Sequence, residues 1–429
     1  MARRAVVVCL AVACLCCPAA AGEAPPLQRA SSEPFFHARS RQADYAGPGR
    51  RTPAPEDVEE VRIGYFGPND PSHPDGGDMW RAAKLAVDEA NQRGGYRGKP
   101  YRLVAGWSDN PWGTGVARLT RMVYDDKVWA IVGGIDGPST HLAEQVVAKA
   151  RLTLVGPAST DKTVNLANVP WMFSMVPGDH LQAPVLAAAV AARVGKGKFL
   201  LVSADDHDPH LFAVELGRCF AERKLVPRYH FEHRRGAADL GELAARVVGA
   251  DVQAVVAVAG ARDSARLVAA LREAGFRGTI FGGPAMGRHA FAQAAQAAAE
   301  GVVFPLLFDS QAAPRQFVAT FQDRFGRSPD YAAAHAYDAV RLLIDAMDKA
   351  GLNRARIRDA VRELSPWSGV SAEVKWDSLG GNARAVGLGT IRDGRPASLA
   401  ESEDASAGLP QDQWGTAMGK EAASGRSPR

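Results

Sequence analysis

Past residue 17 the chain of 429 residues holds a single cysteine, Cys219. Cys9, Cys14, Cys16 and Cys17 all fall in the N-terminal segment. The remainder can therefore form no internal disulfide, and its core must be held by burial, which a chain of this length can manage. Long apolar runs are equally scarce. One covers residues 5–17, behind Arg3 and Arg4 and ahead of Ala19-Ala20-Ala21. That is the pattern of a secretory signal peptide cleaved after Ala21, too short and wrongly flanked for a membrane span. A lipid-modified Cys14 is the second choice, since Ala11 stands where a leucine is expected. Excess charge of one sign is missing too: 51 basic against 47 acidic residues give +4, and +2 once Arg3 and Arg4 leave. So balanced a chain gives no reason to expect nucleic acid or an anionic membrane as partner. There is no Walker motif, dinucleotide fingerprint, haem-attachment site or nucleophile elbow. No helix-turn-helix precedes Val61. Nothing here points to an enzyme, and no cofactor or metal is expected.

What the chain does have is regular alternation. The stretch 128–160 reads as strand, glycine loop, helix, strand and loop. Residues 128–132 form an apolar run closed by Gly133-Gly134, and Asp136 to Thr140 supply turn and N-cap residues. Ala143, Val146, Val147 and Ala150 mark one helix face, and a strand over 152–155 is broken at Gly156-Pro157. A strand–helix–strand unit has parallel strands, so both loops leave neighbouring carboxyl ends, where open α/β sheets bind ligands. Backbone N–H groups at a helix start, beside hydroxyls, suit a carboxylate. Capping is the plainer role for Ser139, Thr140, Ser159 and Thr160 taken singly.

Two further units precede this one, with strands at 58–65 and 101–105. A second series runs from 183 to 304, with strands at 199–203, 228–232, 254–259, 279–282 and 302–304 between helices. Helices carrying Phe317, Phe321 and Phe325, then 331–350 and 354–364, belong to neither series. Residues 374–391 hold two or three short strands. Cys219 shares a helix face with Phe212 and Leu216, the position of a buried structural thiol.

An ordered series of short segments resembles the type I periplasmic binding proteins, in the leucine/isoleucine/valine-binding branch of ABC-transporter receptors. It comprises Val61-Arg62-Ile63-Gly64, Ala86 to Asn91 with Gly94-Gly95, Ala130 to Gly134, and Val155 to Thr160. Ala274-Gly275-Phe276, Glu300-Gly301-Val302, Ala336 to Ala339 and Val374 to Asp377 follow in order, so the likeness covers about 61–394. It implies an α/β protein of two doubly wound parallel-sheet lobes joined by a three-crossover hinge. The expected layout is a signal peptide over 1–21 and a disordered linker over 22–57. Lobe 1 would take 58–178 and 306–370, lobe 2 would take 179–305 and 371–394, and 395–429 would be a disordered tail. Crossovers fall near 176–179, 304–309 and 365–375. The implied protein is a periplasmic, monomeric receptor that closes on a small carboxylate or amino-acid-like ligand and docks on a membrane ABC permease. A ligand sensor of the same fold without a transport role is the alternative.

The resemblance also implies a site. The ligand carboxylate would meet the loop Gly137 to Thr140 and the positions of Ala158, Ser159 and Thr160, with Gly137 offering only its N–H. Asp208 and Ala261, beside Arg262, replace two tyrosines, and Ala285 replaces the glutamate that pairs with the ligand amine. The carboxylate half is kept and the amine half is not, so the expected ligand lacks a free α-amine. Asp205, Asp206, His207, Asp208 and His210 crowd the end of the second lobe's first strand. Oxygen and imidazole ligands there could take a divalent cation, but the plainer reading is a solvated loop with an N-cap before a helix that starts at Leu211.

Overall fold

The structure, a computed structural model, describes residues 45–399 apart from 196 and 239. Residues 1–44, which include the expected signal peptide over 1–21, and residues 400–429 lie outside the described residues. The first sheet is built from β1 (Val61–Phe66), β2 (Tyr101–Gly106), β3 (Ala130–Gly133), β4 (Thr153–Gly156) and β5 (Met172–Ser174). Its order is β2-β1-β3-β4-β5, parallel throughout. β3 and β4 are buried at every position, as strands covered on both faces must be. Helices α1 (Gly77–Gln92), α2 (Val116–Tyr124) and α3 (Gly137–Ala150) make the connections.

After β5 the chain leaves through residues 175–178 into α4 (Asp179–Val194) and the second lobe. There β6 (Phe199–Ala204), α5 (His207–Glu222), β7 (His230–His233), α6 (Gly241–Gly249) and β8 (Ala254–Val258) follow in turn. α7 (Ala261–Glu273), β9 (Thr279–Gly282), α8 (His289–Ala295) and β10 (Val303–Leu306) complete the alternation. The chain then returns to the first lobe with α9 (Arg315–Phe325), α10 (Tyr331–Ala350), α11 (Arg354–Glu363) and the small hairpin β11 (Trp367–Ser368) and β12 (Glu373–Val374). β13 (Gly387–Arg392) and β14 (Arg395–Ser398) finally add antiparallel to β10, giving the order β14-β13-β10-β9-β8-β6-β7.

The two-lobe α/β architecture expected from the alternation is present, with four differences. The third crossover lies at 383–386, not 365–375: Val374 is in the first lobe's core, Trp376 packs on Phe173, and Ser174 bridges to Gly381. The tail boundary moves as well, because residues 395–398 form β14. The stretch 45–52, assigned to the linker, is tied to the first lobe. Tyr45 is buried against Trp171, Arg50 pairs with Asp359, and Asn353 Nδ2 donates to the carbonyls of Gly49 and Thr52. Last, α5 begins at His207 rather than Leu211, since Pro209 in a first helical turn costs no hydrogen bond.

The crossovers brace one another. Asn382 Nδ2 donates to the Met175 carbonyl at 2.8 Å, and Arg384 Nη2 donates to the Leu307 carbonyl at 2.7 Å. Beside them runs α10, buried along nearly its whole length and packed on α1. Within α10, Asp338 holds the turn of the small hairpin by accepting from Val370 N, Ser371 N and Ser371 Oγ at 2.8, 2.8 and 2.6 Å. His335, fully buried, has Nδ1 2.6 Å from the Tyr331 carbonyl, and its Nε2 has no partner among the described residues.

Burial, helped by the Arg384 cation, holds the His335 imidazole down at about 3. Its unfolded value is about 6.5. Between those limits the unfolded chain binds the extra proton, so stability is complete above about pH 6.5 and falls as pH drops towards 3. Each pH unit in that window should remove about 1.4 kcal/mol. Urea unfolding at pH 7, 5.5 and 4 should therefore show a shallower loss for His335→Leu than for the native chain. Parallel losses would contradict this.

Candidate functional site

The carboxyl ends of the parallel strands in the two sheets face each other across the hinge, and the loops there define the cleft. On the first lobe α3 starts at Gly137, capped by Asp136, whose Oδ1 accepts from Ser139 N at 2.9 Å. The Ser139 hydroxyl completes the capping box by accepting from Ile135 N and Asp136 N at 3.0 and 3.3 Å. Thr140 Oγ1 donates to the Asp136 carbonyl at 2.6 Å. Both side chains are fully buried, so their hydroxyls serve their own turn. The Gly137 N–H is left over at the positive end of the helix. It donates to the Asp208 carboxylate of the opposite lobe, with Oδ1 and Oδ2 at 3.1 and 3.0 Å.

That contact depends on the missing side chain. A Cβ on Gly137 would lie 2.4 Å from Asp208 Oδ1, 2.8 Å from His207 Cδ2 and 2.9 Å from Asp161 Oδ2. Asp208 itself is pushed up to about 7 by burial and by the nearby Asp136 carboxylate, against the pull of the Gly137 N–H.

The loop after β4 supplies Ala158, Ser159, Thr160 and Asp161, all buried. Ser159 Oγ accepts from Asp161 N at 3.3 Å, and the Thr160 carbonyl accepts from Asp179 N at 2.8 Å. Burial keeps the Asp179 carboxyl well above the usual range, although the Thr160 hydroxyl bonds to it. Asp161 Oδ1 caps the following turn through Thr163 N and Oγ1, at 2.8 and 2.7 Å. Its Oδ2 meets Nε2 of His141 at 3.0 Å and Nε2 of His207, from the other lobe, at 2.9 Å. Burial would raise the Asp161 carboxyl, yet the bonds from His141, Thr163 and His207 hold it well below the usual range. His141 rises to about 9 through Asp161 and then Glu144. A further interlobe pair joins Lys162 to Glu215.

Deeper in the cleft, Arg288 reaches from the loop after β9 into the first lobe. Its Nε donates to Asp330 Oδ2 at 2.8 Å and its Nη2 to the Asp75 carbonyl at 2.6 Å, and the guanidinium carbon lies 5.5 Å from the Tyr331 ring centre. His289 N adds a bond to Asp330 Oδ2 at 3.2 Å. Arg288 and Asp330 are both buried, and despite burial each is held in its charged form by the other. Tyr331 is raised to about 12, chiefly by burial, and it feels both Arg288 and Asp208. Tyr65, at the carboxyl end of β1, is fully buried and within reach of the Arg288 charge, and its hydroxyl has no partner among the described residues.

Of the expected site residues, the structure brings Gly137, Asp208 and the 158–160 loop to the cleft. Ser139 turns inward as the partner in the capping box and Thr140 turns inward to donate to the Asp136 carbonyl. Arg262 is exposed on the first turn of α7. Arg288, Asp330, Tyr331, Tyr65, Asp161 and His141 were not singled out from the sequence. An arginine in the same loop as Ala285 was the one available signal for the first of them.

Residues 60–395 match the model of a family described as periplasmic binding protein. An amino acid binding protein of Pseudomonas aeruginosa is 24% identical over 328 residues, covering 75% of this chain and 87% of that protein. Among solved structures, the isoleucine complex of the Streptococcus pneumoniae branched-chain amino acid transporter substrate-binding protein LivJ superposes with TM-score 0.72. It is 22% identical and covers 79% of this chain and 98% of the other. A solute-binding protein of an ABC transporter from R. palustris, in complex with benzoate, also reaches TM-score 0.72 at 15% identity, covering 79% and 95%.

If the absent Cβ is what lets the lobes meet, Gly137→Ala should hold them apart. Small-angle X-ray scattering should then give a larger radius of gyration than for the native chain, with the circular dichroism spectrum unchanged. Superimposable scattering curves would refute this account of the contact.

Proposed function

We propose a ligand class and a role for this chain, which belongs to the periplasmic binding protein family. It is an extracytoplasmic receptor that captures a small carboxylate without an α-amine between its lobes and presents it to an ABC-type permease. One observation carries this reading: the Gly137 N–H, at the start of α3, already holds a carboxylate, that of Asp208. A helix N-terminus with a free N–H favours an anion there. A solute carboxylate takes the same donor by displacing Asp208, whose raised pKa weakens its hold as an anion near neutrality.

The cleft's other charge supports the exclusion of an amine. Where the family resemblance puts an acid, at Ala285, this chain has none, and Arg288 of the same loop brings a buried cation instead. An ammonium placed there loses its partner, a loss of several kcal/mol in a buried site. The Tyr65 hydroxyl, buried with no partner among the described residues, would offer a polar contact to the rest of the solute. The solutes named for the solved proteins above, isoleucine and benzoate, share a carboxylate and not an amine. No helix among the described residues is long and apolar enough to cross a membrane, so delivery would require a separate permease.

A matched pair tests the reading: leucine against 4-methylpentanoate, which has the same skeleton without the amine, with benzoate as a third probe. Thermal unfolding of residues 22–429 should show stabilisation by the amine-free acids, about 2.7 kcal/mol at a hundred times the dissociation constant. Asp208→Ala should enlarge it by removing the internal competitor. Greater stabilisation by leucine than by either acid would overturn the ligand class.

A further inference from the structure

We propose that His141, Asp161 and His207 form a divalent metal site that fastens the two lobes together and takes a first-row transition ion such as Zn2+. The three residues come from separate segments: α3, the loop after β4, and the first turn of α5 on the opposite lobe. Both imidazole Nε2 atoms converge on the same oxygen, Asp161 Oδ2, at 3.0 and 2.9 Å. All three ligand atoms lie within 4.8 Å of one another. Bonds of about 2.0–2.1 Å in a tetrahedral site set ligand atoms about 3.3 Å apart, so to accept an ion the two Nε2–Oδ2 separations would lengthen slightly while the two imidazole nitrogens draw together from within 4.8 Å. Two imidazoles with one carboxylate suit zinc and its neighbours, whereas calcium and magnesium prefer oxygen alone.

The surroundings are those of a metal site. Asp161 Oδ1 is fixed by Thr163 N and Oγ1, which turns Oδ2 towards the histidines. Glu144 Oε2 stands 3.5 Å from His141 Nδ1, the carboxylate–imidazole arrangement that orients a metal-bound histidine. Glu144 is buried, and its Oε1 has no other partner among the described residues. Asp208 Oδ1, 4.0 Å from His207 Nε2, is a further carboxylate at the rim. Two ligands belong to one lobe and one to the other. The ion therefore binds the closed form better than the open form and shifts the hinge equilibrium towards closure. The site stands whether or not the solute is a carboxylate.

The test uses tag-free protein freed of metal by a chelator and dialysed, then titrated with zinc chloride by calorimetry and with cobalt chloride by visible absorption. One equivalent should bind, with the visible bands of four-coordinate cobalt. Scattering should show a smaller radius of gyration with zinc. His207→Ala, a change at a half-exposed side chain, and His141→Ala should each weaken binding at least tenfold. Absence of saturable binding, or affinity unchanged in His207→Ala, would overturn the proposal.

Discussion

The closed arrangement of this molecule depends on one contact that exists because a side chain is absent. Gly137 opens α3 with a free N–H, and the Asp208 carboxylate of the other lobe approaches it to about hydrogen-bond distance, where a Cβ would stand. Around that point the lobes exchange a consistent set of charges: His207 to Asp161, Lys162 to Glu215 and Arg288 to Asp330. Each of the four contacts has at least one partner in a segment that follows the carboxyl end of a parallel strand. That is where the topology leaves loops free to vary without disturbing the sheets.

These contacts differ in what they contribute. A buried pair such as Arg288 with Asp330 recovers its desolvation cost only with help, here from the Asp75 carbonyl, His289 N and the Tyr331 ring. Its value lies in register: a guanidinium that must find one carboxylate, one carbonyl and one ring fixes how the lobes meet. The Gly137 contact is of another kind. A carboxyl already raised towards neutrality, on a single N–H, is a replaceable partner. The crossovers, held by Asn382 and Arg384 across the hinge, bear the permanent load.

Most of the fold was legible because its signals are local. The apolar faces of the helices and the buried strand runs gave β9 and α10 with their observed limits. β5 was missed, as three residues between Trp171 and Met175 carry no period. β14 was missed because Arg395-Pro396-Ala397-Ser398 does not alternate, although proline is tolerated on an edge strand. The start of α5 was expected at Leu211, although Pro209 fits a first turn and the helix begins at His207. The site was legible only in part. The family pattern pointed to Gly137, the 158–160 loop and Asp208. It could not tell that Ser139 and Thr140 spend their hydroxyls on their own turn. Arg288 and Asp330 meet across 42 residues and two lobes, a pairing that no local pattern carries.

The most direct test is a crystal structure of the protein with a saturating amine-free carboxylate. A solute oxygen should lie within about 3 Å of Gly137 N, a hydrogen-bond distance, with the Asp208 side chain moved off it. A solute bound elsewhere in the cleft, with Asp208 still on Gly137, would contradict the claim that this helix start is the carboxylate site.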